Sequence, residues 1–175
     1  MNNNYFDSNN KKDCNGCGVC SLKCPKHAIT MKKDEEGFLY PVIDKEKCIN
    51  CGICRKVCPN IYYKNSENIS KAYISYTKND IDKKDSASGG MYYAIAKYII
   101  GLNGVIFGVT YDDNLVARHE YAETIDDAKK FCGSKYVKSD LNDSYKDVEK
   151  FLKDDRYVLF SGTPCQCQGL RSFLK

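Results

Sequence analysis

Eight of the eleven cysteines lie between Cys14 and Cys58 and form an internal repeat. The first copy consists of Cys14, Cys17, Cys20, Cys24 and Pro25, and the second copy, displaced by 34 positions, of Cys48, Cys51, Cys54, Cys58 and Pro59. Thiolates at two-residue intervals can wrap one face of a metal cluster. An odd number of cysteines in a chain without a secretion signal argues against a disulfide framework. The repeat therefore predicts metal ligation.

The spacing C-x2-C-x2-C-x3-C-P is the signature of bacterial ferredoxin-type modules that hold two 4Fe–4S clusters, and in it the fourth cysteine ligates the other cluster. We therefore expect crossed ligand sets. The first set is Cys14, Cys17, Cys20 and Cys58, and the second set is Cys48, Cys51, Cys54 and Cys24. Glycines after the second cysteine of each copy, Gly18 and Gly52, let the backbone approach a cluster without a clash at Cβ.

A structural zinc site is the main alternative for these cysteines. Zinc ribbons and knuckles present two C-x2-C pairs across a longer spacer and use four ligands for each metal. They have no use for a third cysteine two residues further on, or for the proline after the fourth. The iron–sulfur interpretation accounts for every member of the repeat.

Between the two copies, residues 28–33 and 38–43 predict two strands around a turn at residues 34–37, which is a hairpin signal. We expect an α+β ferredoxin-like two-cluster module at residues 13–64. A polar, Asn-rich leader at residues 1–12 is predicted to be disordered, and residues 65–70 to be a linker.

Composition limits the remaining classes of function. The chain has 175 residues, with 27 basic and 23 acidic side chains and a formal charge of +4. These charges are interleaved, which argues against nucleic acid as a partner. The most apolar stretch, 91–109, contains Lys97, Asn103 and three glycines, so we expect no membrane span. No targeting signal is visible, and we expect a cytoplasmic protein.

The region 71–175 has a different pattern. Strands are predicted at 72–76, 104–109 and 156–160, and helices at 91–100, 125–131 and 145–153, with a last helix after the turn at 161–166. Strands that alternate with helices indicate an α/β domain.

Three segments of this region resemble the signature segments of the coenzyme F-420 hydrogenase/dehydrogenase beta-subunit family. They are Ser-Ala-Ser-Gly-Gly at 86–90, Gly-Ser-Lys-Tyr-Val at 133–137 and Ser-Gly-Thr-Pro-Cys-Gln at 161–166. The resemblance covers about residues 14–175 and includes the two-cluster module in front. Because members of the family continue further, we expect only the first, incomplete part of a flavin-type α/β domain here.

The resemblance implies FAD as a cofactor and assigns six residues to its site. These are Ser88, Gly89, Gly90, Lys135, Thr163 and Cys165. Simpler interpretations remain for each: a helix cap with a glycine hinge at 88–90, a solvated lysine, and a plain turn before the last helix. We interpret Cys132 and Cys167 as small buried apolar residues. His27 and His119 are expected to be surface or packing residues, and no catalytic residue is assigned.

Two functions follow from these patterns. The first is an iron–sulfur flavoprotein oxidoreductase. It would exchange electrons between a small-molecule hydride donor or acceptor, such as the deazaflavin coenzyme, a flavin, the two clusters and a redox partner protein or subunit. The second is a non-enzymatic electron carrier whose C-terminal region binds no flavin.

Overall fold

The computed structural model describes residues 5–61, 71–84, 86 and 88–175. In chain order the helices are α1 (Tyr5–Ser8), α2 (Val19–Leu22), α3 (Ile53–Lys56), α4 (Asp80–Lys84), α5 (Met91–Gly101), α6 (Ile125–Ala128), α7 (Ser144–Lys153) and α8 (Pro164–Phe173). The strands are β1 (Ile29–Lys33), β2 (Leu39–Ile43), β3 (Val105–Tyr111), β4 (Ala117–Ala122) and β5 (Val158–Phe160), and single 3-10 turns lie at Lys11–Asp13, Pro59–Ile61 and Lys129–Phe131. The fold is mixed α/β with small sheets.

The chain divides into two compact units. The first unit is Met1–Glu67 together with Thr163–Lys175, and the second is Asn68–Gly162. The division joins the C-terminal segment to the cysteine-rich module, whereas the sequence interpretation assigned it to the second domain. The predicted linker at 65–70 lies outside the described residues.

The hairpin of the first unit is confirmed. β1 and β2 are antiparallel, with Ile29 opposite Ile43 and Lys33 opposite Leu39. Asp34 closes the turn because its carboxylate accepts the backbone N–H groups of Glu36 and Phe38. The hairpin is the only sheet among the described residues of this unit.

The described part of the predicted leader, residues 5–12, contains α1 and the start of the first 3-10 turn. The rings of Tyr5 and Tyr40 lie 6.1 Å apart, which ties α1 to β2. Asp7 accepts a hydrogen bond from the side chain of Arg55 in α3, 2.7 Å away. These contacts give the segment packing partners that its polar composition did not indicate.

Helix α8 is part of the first unit. Pro164 occupies its first turn, where a missing N–H costs nothing. Thr163 and Gln166 form a capping box, in which the Thr163 N–H donates to the Gln166 side-chain oxygen at 2.9 Å. Leu170 and Phe173 are buried, and α8 packs on α2 and on the turn at Pro59–Ile61.

The second unit is built on a three-stranded sheet in the order β4-β3-β5. β3 pairs antiparallel with β4 and parallel with β5. Its buried cluster consists of Tyr93, Ala96, Ile106, Ala122, Ala128 and Phe131. Phe107 contacts the rings of Phe151 and Phe160, which adds a second apolar group around the sheet.

The predicted helices at 91–100 and 145–153 and the predicted strands at 104–109 and 156–160 are confirmed, with shifts of one or two residues at their ends. The helix predicted at 125–131 is α6 followed by a 3-10 turn. The strand predicted at 72–76 is wrong. No strand in the described part of the chain pairs with these residues, and Tyr73, Ile74 and Tyr76 are exposed.

Two elements of the second unit, β4 and α4, were not predicted. β4 carries Arg, His and Glu between its apolar residues, which obscured its alternation. α4 is a single short turn of mostly charged residues. Within the described ranges, no helix has both the length and the apolar character needed to cross a bilayer.

Candidate metal centres

Each of two cavities in the first unit is lined by four cysteines. The cysteines of one cavity are Cys24, Cys48, Cys51 and Cys54, with Ile29, Ile43, Ile49 and Gly52 among the other lining residues. Three of its cysteines come from the second repeat and one from the first. We name it the second cavity.

The other cavity, named the first cavity, is lined by the complementary cysteines Cys14, Cys17, Cys20 and Cys58. Met31 and Pro41 of the hairpin and Phe6 of α1 contribute apolar wall. The two cavities therefore contain the two crossed sets, each with three cysteines from one repeat and the fourth from the other.

The two copies of the repeat fold alike. Gly18 and Gly52 have φ of 75° and 74° and immediately precede α2 and α3. This left-handed conformation is strained for residues with a Cβ, so glycine is favoured at both positions. The third cysteine of each copy then lies in the short helix, while the first two lie in the loop before it.

Two asparagines connect the loop of Cys14 to the loop of Cys58. The side chain of Asn60 accepts from Asn15 at 2.9 Å and donates to the carbonyl of Asp13 at 2.7 Å. These bonds link segments that are more than 40 residues apart and that supply the two ends of the first set. This pair was not predicted, because its signal in the sequence is no more than an asparagine next to each cysteine loop.

Backbone N–H groups donate to two of the cysteine sulfurs. Gly16 N–H donates to Cys14 Sγ and Ala28 N–H donates to Cys24 Sγ, both at 3.3 Å. Hydrogen bonds of this kind tune the reduction potential of a bound cluster.

Burial dominates the electrostatics of the cysteines. It raises the pKa of the Cys17 thiol to about 11, and it also raises the pKa of Cys20 and of Cys58. The charges of Cys14 and Cys58 raise the pKa of Cys17 further. Thiols in these surroundings keep their protons unless a cation replaces them, since metal ligation requires deprotonation.

The same electrostatic coupling joins members of the second set. Burial raises the pKa of Cys54, and the charges of Cys48 and Cys51 add to the shift. Cys58 is coupled both to Cys14 and to Cys54, which is consistent with its position on the segment after α3. Nowhere in the described part of the chain do three or more His, Cys, Asp or Glu groups converge on a point suited to one metal ion. The thiols of each set instead surround a cavity.

Residues 13–60 match the family model described as a 4Fe-4S dicluster domain. The chain carries an iron–sulfur cluster module. Residues 43–88 also match the family model described as the 4Fe-4S single cluster domain of Ferredoxin I, a range that includes the whole second repeat. No curated protein matches the chain. The resemblance of the later segments to coenzyme F-420 beta subunits rests on their motifs alone.

The residues that the resemblance assigns to a flavin divide between the two units. Ser88, Gly89 and Gly90 belong to the second unit and precede α5, for which Gly90 is the N-cap residue at φ 75°. A Cβ at Gly89 would lie 2.6 Å from the carbonyl oxygen of Ser75, and one at Gly90 would lie 2.6 Å from the Thr77 side chain. Close packing against residues 75–77 therefore requires both glycines without any ligand.

Lys135 is also engaged within the second unit. Its ammonium donates to the carbonyl oxygens of Lys130, Cys132 and Gly133, at 3.1, 2.8 and 3.2 Å. Burial lowers its pKa. The lysine thus stabilises the turn at the end of the 3-10 segment, and its donors point at backbone oxygens of its own loop.

Thr163 and Cys165 belong to the first unit, at the start of α8. Thr163 forms the capping box, and Cys165 Sγ lies 3.2 Å from the Thr163 hydroxyl and 3.9 Å from the carbonyl oxygen of Asn15. The charge of Cys165 contributes to the raised pKa of Cys17. The other two cysteines outside the repeat, Cys132 and Cys167, are half-buried.

The two histidines have different surroundings. His27 is exposed, whereas His119 is 3% exposed and stacks on the ring of Phe160. Its Nδ1 lies 2.9 Å from the Ser139 hydroxyl, and its Nε2 lies 3.0 Å from the carbonyl oxygen of Ser161. A carbonyl only accepts, so Nε2 carries the proton and the Ser139 hydroxyl donates to Nδ1. His119 is thus a fully paired packing residue of the second unit.

Proposed function

We propose that the protein is an electron-transfer protein whose two crossed cysteine sets each hold one 4Fe–4S cluster. The observation that carries the proposal is the lining of the two cavities, each with one complete crossed set. When bound, each cluster accepts and releases one electron at a potential that the surrounding hydrogen bonds and solvent exposure set. The matches to the 4Fe–4S family models support this electron-transfer role.

The residues of the first unit would bind the clusters and orient their ligands. The eight cysteines supply thiolates, and loss of their protons accompanies ligation. Gly18 and Gly52 turn the backbone so that the loops close around the cavities. The N–H groups of Gly16 and Ala28 hold two sulfurs in place, and apolar residues of the hairpin exclude water.

Anaerobic reconstitution with iron and sulfide tests this proposal directly. We expect about eight irons and eight sulfides per chain, and a reduced form with the electron paramagnetic resonance of two interacting clusters. Metal analysis of the same sample distinguishes the zinc alternative. Stoichiometric zinc with no iron–sulfur absorbance after reconstitution would overturn the proposal.

A flavin-dependent oxidoreductase is a second candidate for the whole chain. The three sequence motifs support it, and so does one feature of the second unit. The hydroxyl of Tyr92 is buried without a hydrogen-bond partner among the described residues, and this burial raises its pKa. Buried hydroxyls are rarely left unpaired, and a ligand is one way to satisfy them. However, Lys135 and the two glycines already have intramolecular partners, so we derive no step through a flavin.

This second candidate has its own test. The purified chain is incubated with FAD, desalted and examined for flavin absorbance, with Tyr92→Phe as the matched variant. Retention of about one flavin by the unmodified chain, reduced in Tyr92→Phe, would support a flavin site that uses this hydroxyl. Absence of flavin after desalting would leave the electron-carrier function and remove the flavoenzyme.

A further inference from the structure

The two cavities of the first unit differ in their exposure to solvent. Cys17 and Cys20 of the first cavity are each 8% exposed, whereas Cys51 of the second cavity is exposed. Ile49, which also lines the second cavity, is 58% exposed. Electron transfer slows steeply with distance. A partner that docks at the second cavity therefore comes closer to a bound cluster than one that approaches Cys17 or Cys20.

Basic side chains lie at the more exposed cavity. Lys26 and Arg55 line it, and Lys47 directly precedes Cys48. All three are exposed, and we name them the basic rim. Asp7 pairs with Arg55 at 2.7 Å and Asp44 with Lys47 at 3.2 Å, while no ion pair of Lys26 is found among the described residues.

The basic rim is a local feature of the first unit. Basic and acidic residues are nearly balanced over the whole chain, at 27 and 23. Lys11, which pairs with Asp34 at 2.6 Å, lies in the same unit, but the charged residue in the lining of the first cavity is acidic, Asp13. The charged residues in the lining of the second cavity, Lys26 and Arg55, are both basic. A surface that combines exposed cations with an exposed isoleucine matches the composition of a transient docking site, where charge guides the encounter and a small apolar contact excludes water.

We propose that the second cavity is the port through which electrons enter and leave the module, and that its partner is an acidic one-electron carrier protein which docks on the basic rim. The inference rests on the proposed electron-transfer function and names the partner class for the same site. A cluster held by the four cysteines of the second cavity would accept one electron from the reduced carrier, so that the cluster is reduced and the carrier oxidised by one electron, and no bond forms or breaks. The reverse step returns the electron to an oxidised carrier.

A bound cluster with four thiolates carries about −2 in its oxidised form, so the cations also offset the charge of the cluster itself. A docking role for these cations can be distinguished from this purely local role. Docking requires that the rim attract a protein from solution, and that salt weaken the attraction.

The test compares two carriers and two charge-reversed variants of the iron-loaded full chain. A flavodoxin serves as the acidic carrier and cytochrome c as the basic one. The rim variant is Lys26→Glu with Lys47→Glu. The control variant is Lys32→Glu with Lys33→Glu, which changes the same charge on exposed positions of β1 near the hairpin turn. All proteins are kept oxidised, and the dissociation constant is measured by calorimetry at low and at high salt.

We expect the unmodified protein to bind the flavodoxin more tightly than cytochrome c, with affinity falling as salt rises. The rim variant should weaken flavodoxin binding about tenfold at low salt, and the control variant by less than about twofold. Stopped-flow electron transfer should follow the same order. The proposal that the carrier docks at the second cavity would be overturned by equal losses of flavodoxin affinity in both variants, by affinity that does not depend on salt, or by tighter binding of cytochrome c.

Iron content, measured first, separates this inference from the function on which it rests. A chain that fails to take up iron overturns the electron-transfer proposal itself. A fully loaded chain that does not bind the acidic carrier through the rim overturns only the port and its partner class.

Discussion

The ammonium of Lys23 lies 4.6 Å from the centre of the Phe173 ring. Lys23 is the C-cap residue of α2, in the first cysteine repeat, and Phe173 is the last residue of α8, far away in the sequence. A cation over an aromatic ring is attracted to the face of that ring. Phe173 is 5% exposed. The contact shows that the C-terminal helix is structurally part of the cysteine-rich module and helps to support the helix that carries Cys20.

Truncation of Phe173 should destabilise that module. We expect Phe173→Ala to lower the free energy of unfolding by about 3–5 kcal/mol, as for other buried aromatic residues. Leu174→Ala is the matched control, because Leu174 is 40% exposed and should cost far less. The loss of cluster absorbance during a urea titration gives the unfolding midpoint of each variant. Similar midpoints for the two variants would contradict the packing of α8 on the module.

The second prediction concerns the left-handed backbone conformation of Gly18. No atom lies within 4 Å of a Cβ built at this position, so the cost of substitution comes from its φ of +75° rather than from a clash. Gly18→Ala should lower stability by about 1 kcal/mol, and Gly18→Asn by less, because asparagine tolerates the left-handed region. The same urea titration applies. If Gly18→Asn proved the more damaging substitution, strain would not be the reason for this glycine.

His119 makes the stability of the second unit depend on pH. Burial lowers its pKa below the ordinary value of 6.5, although the Ser161 carbonyl and Asp140 favour the charged form. The unfolded chain then binds a proton that the folded unit does not. The contribution to stability is therefore complete above pH 6.5 and decreases as the pH falls from there through the lowered pKa.

Amide hydrogen exchange of β3 and β4, corrected for its intrinsic pH dependence, measures this effect. Protection should decrease below about pH 6.5 in the unmodified protein, and this decrease should be absent from His119→Gln. His27→Asn is the control, since His27 is exposed and asparagine suits its φ of 48°. An unchanged pH dependence in His119→Gln would rule out this histidine as its source.

The local features of the first unit were predictable because spacing along the chain encodes them. The cysteine repeat specifies two similar loops, each with a glycine, and the alternation around residues 34–37 indicates the hairpin. The positive φ of Gly18 and Gly52 was not predicted. In the second unit, the periodicity of α5 and α7 and the apolar run of β3 were also sufficient.

The structural features that were not predicted correctly from the sequence have a common physical cause. Residues 72–76 have the composition of a strand, but a strand forms only with a neighbour, and tertiary packing supplies none here. β4 forms because β3 pairs with it along six positions despite its charged residues. The membership of α8 in the first unit depends on contacts between distant segments, such as Lys23 with Phe173, which no local pattern contains.

Crossed ligation of two clusters is the central claim, and iron content of paired cysteine variants tests it most directly. Cys17→Ala with Cys58→Ala removes two ligands of one crossed set and should leave about four irons per chain, whereas Cys17→Ala with Cys24→Ala removes one ligand from each set and should leave almost none. If the second pair kept about four irons while the first pair lost nearly all, each repeat would hold its own cluster, and the crossed assignment would be wrong.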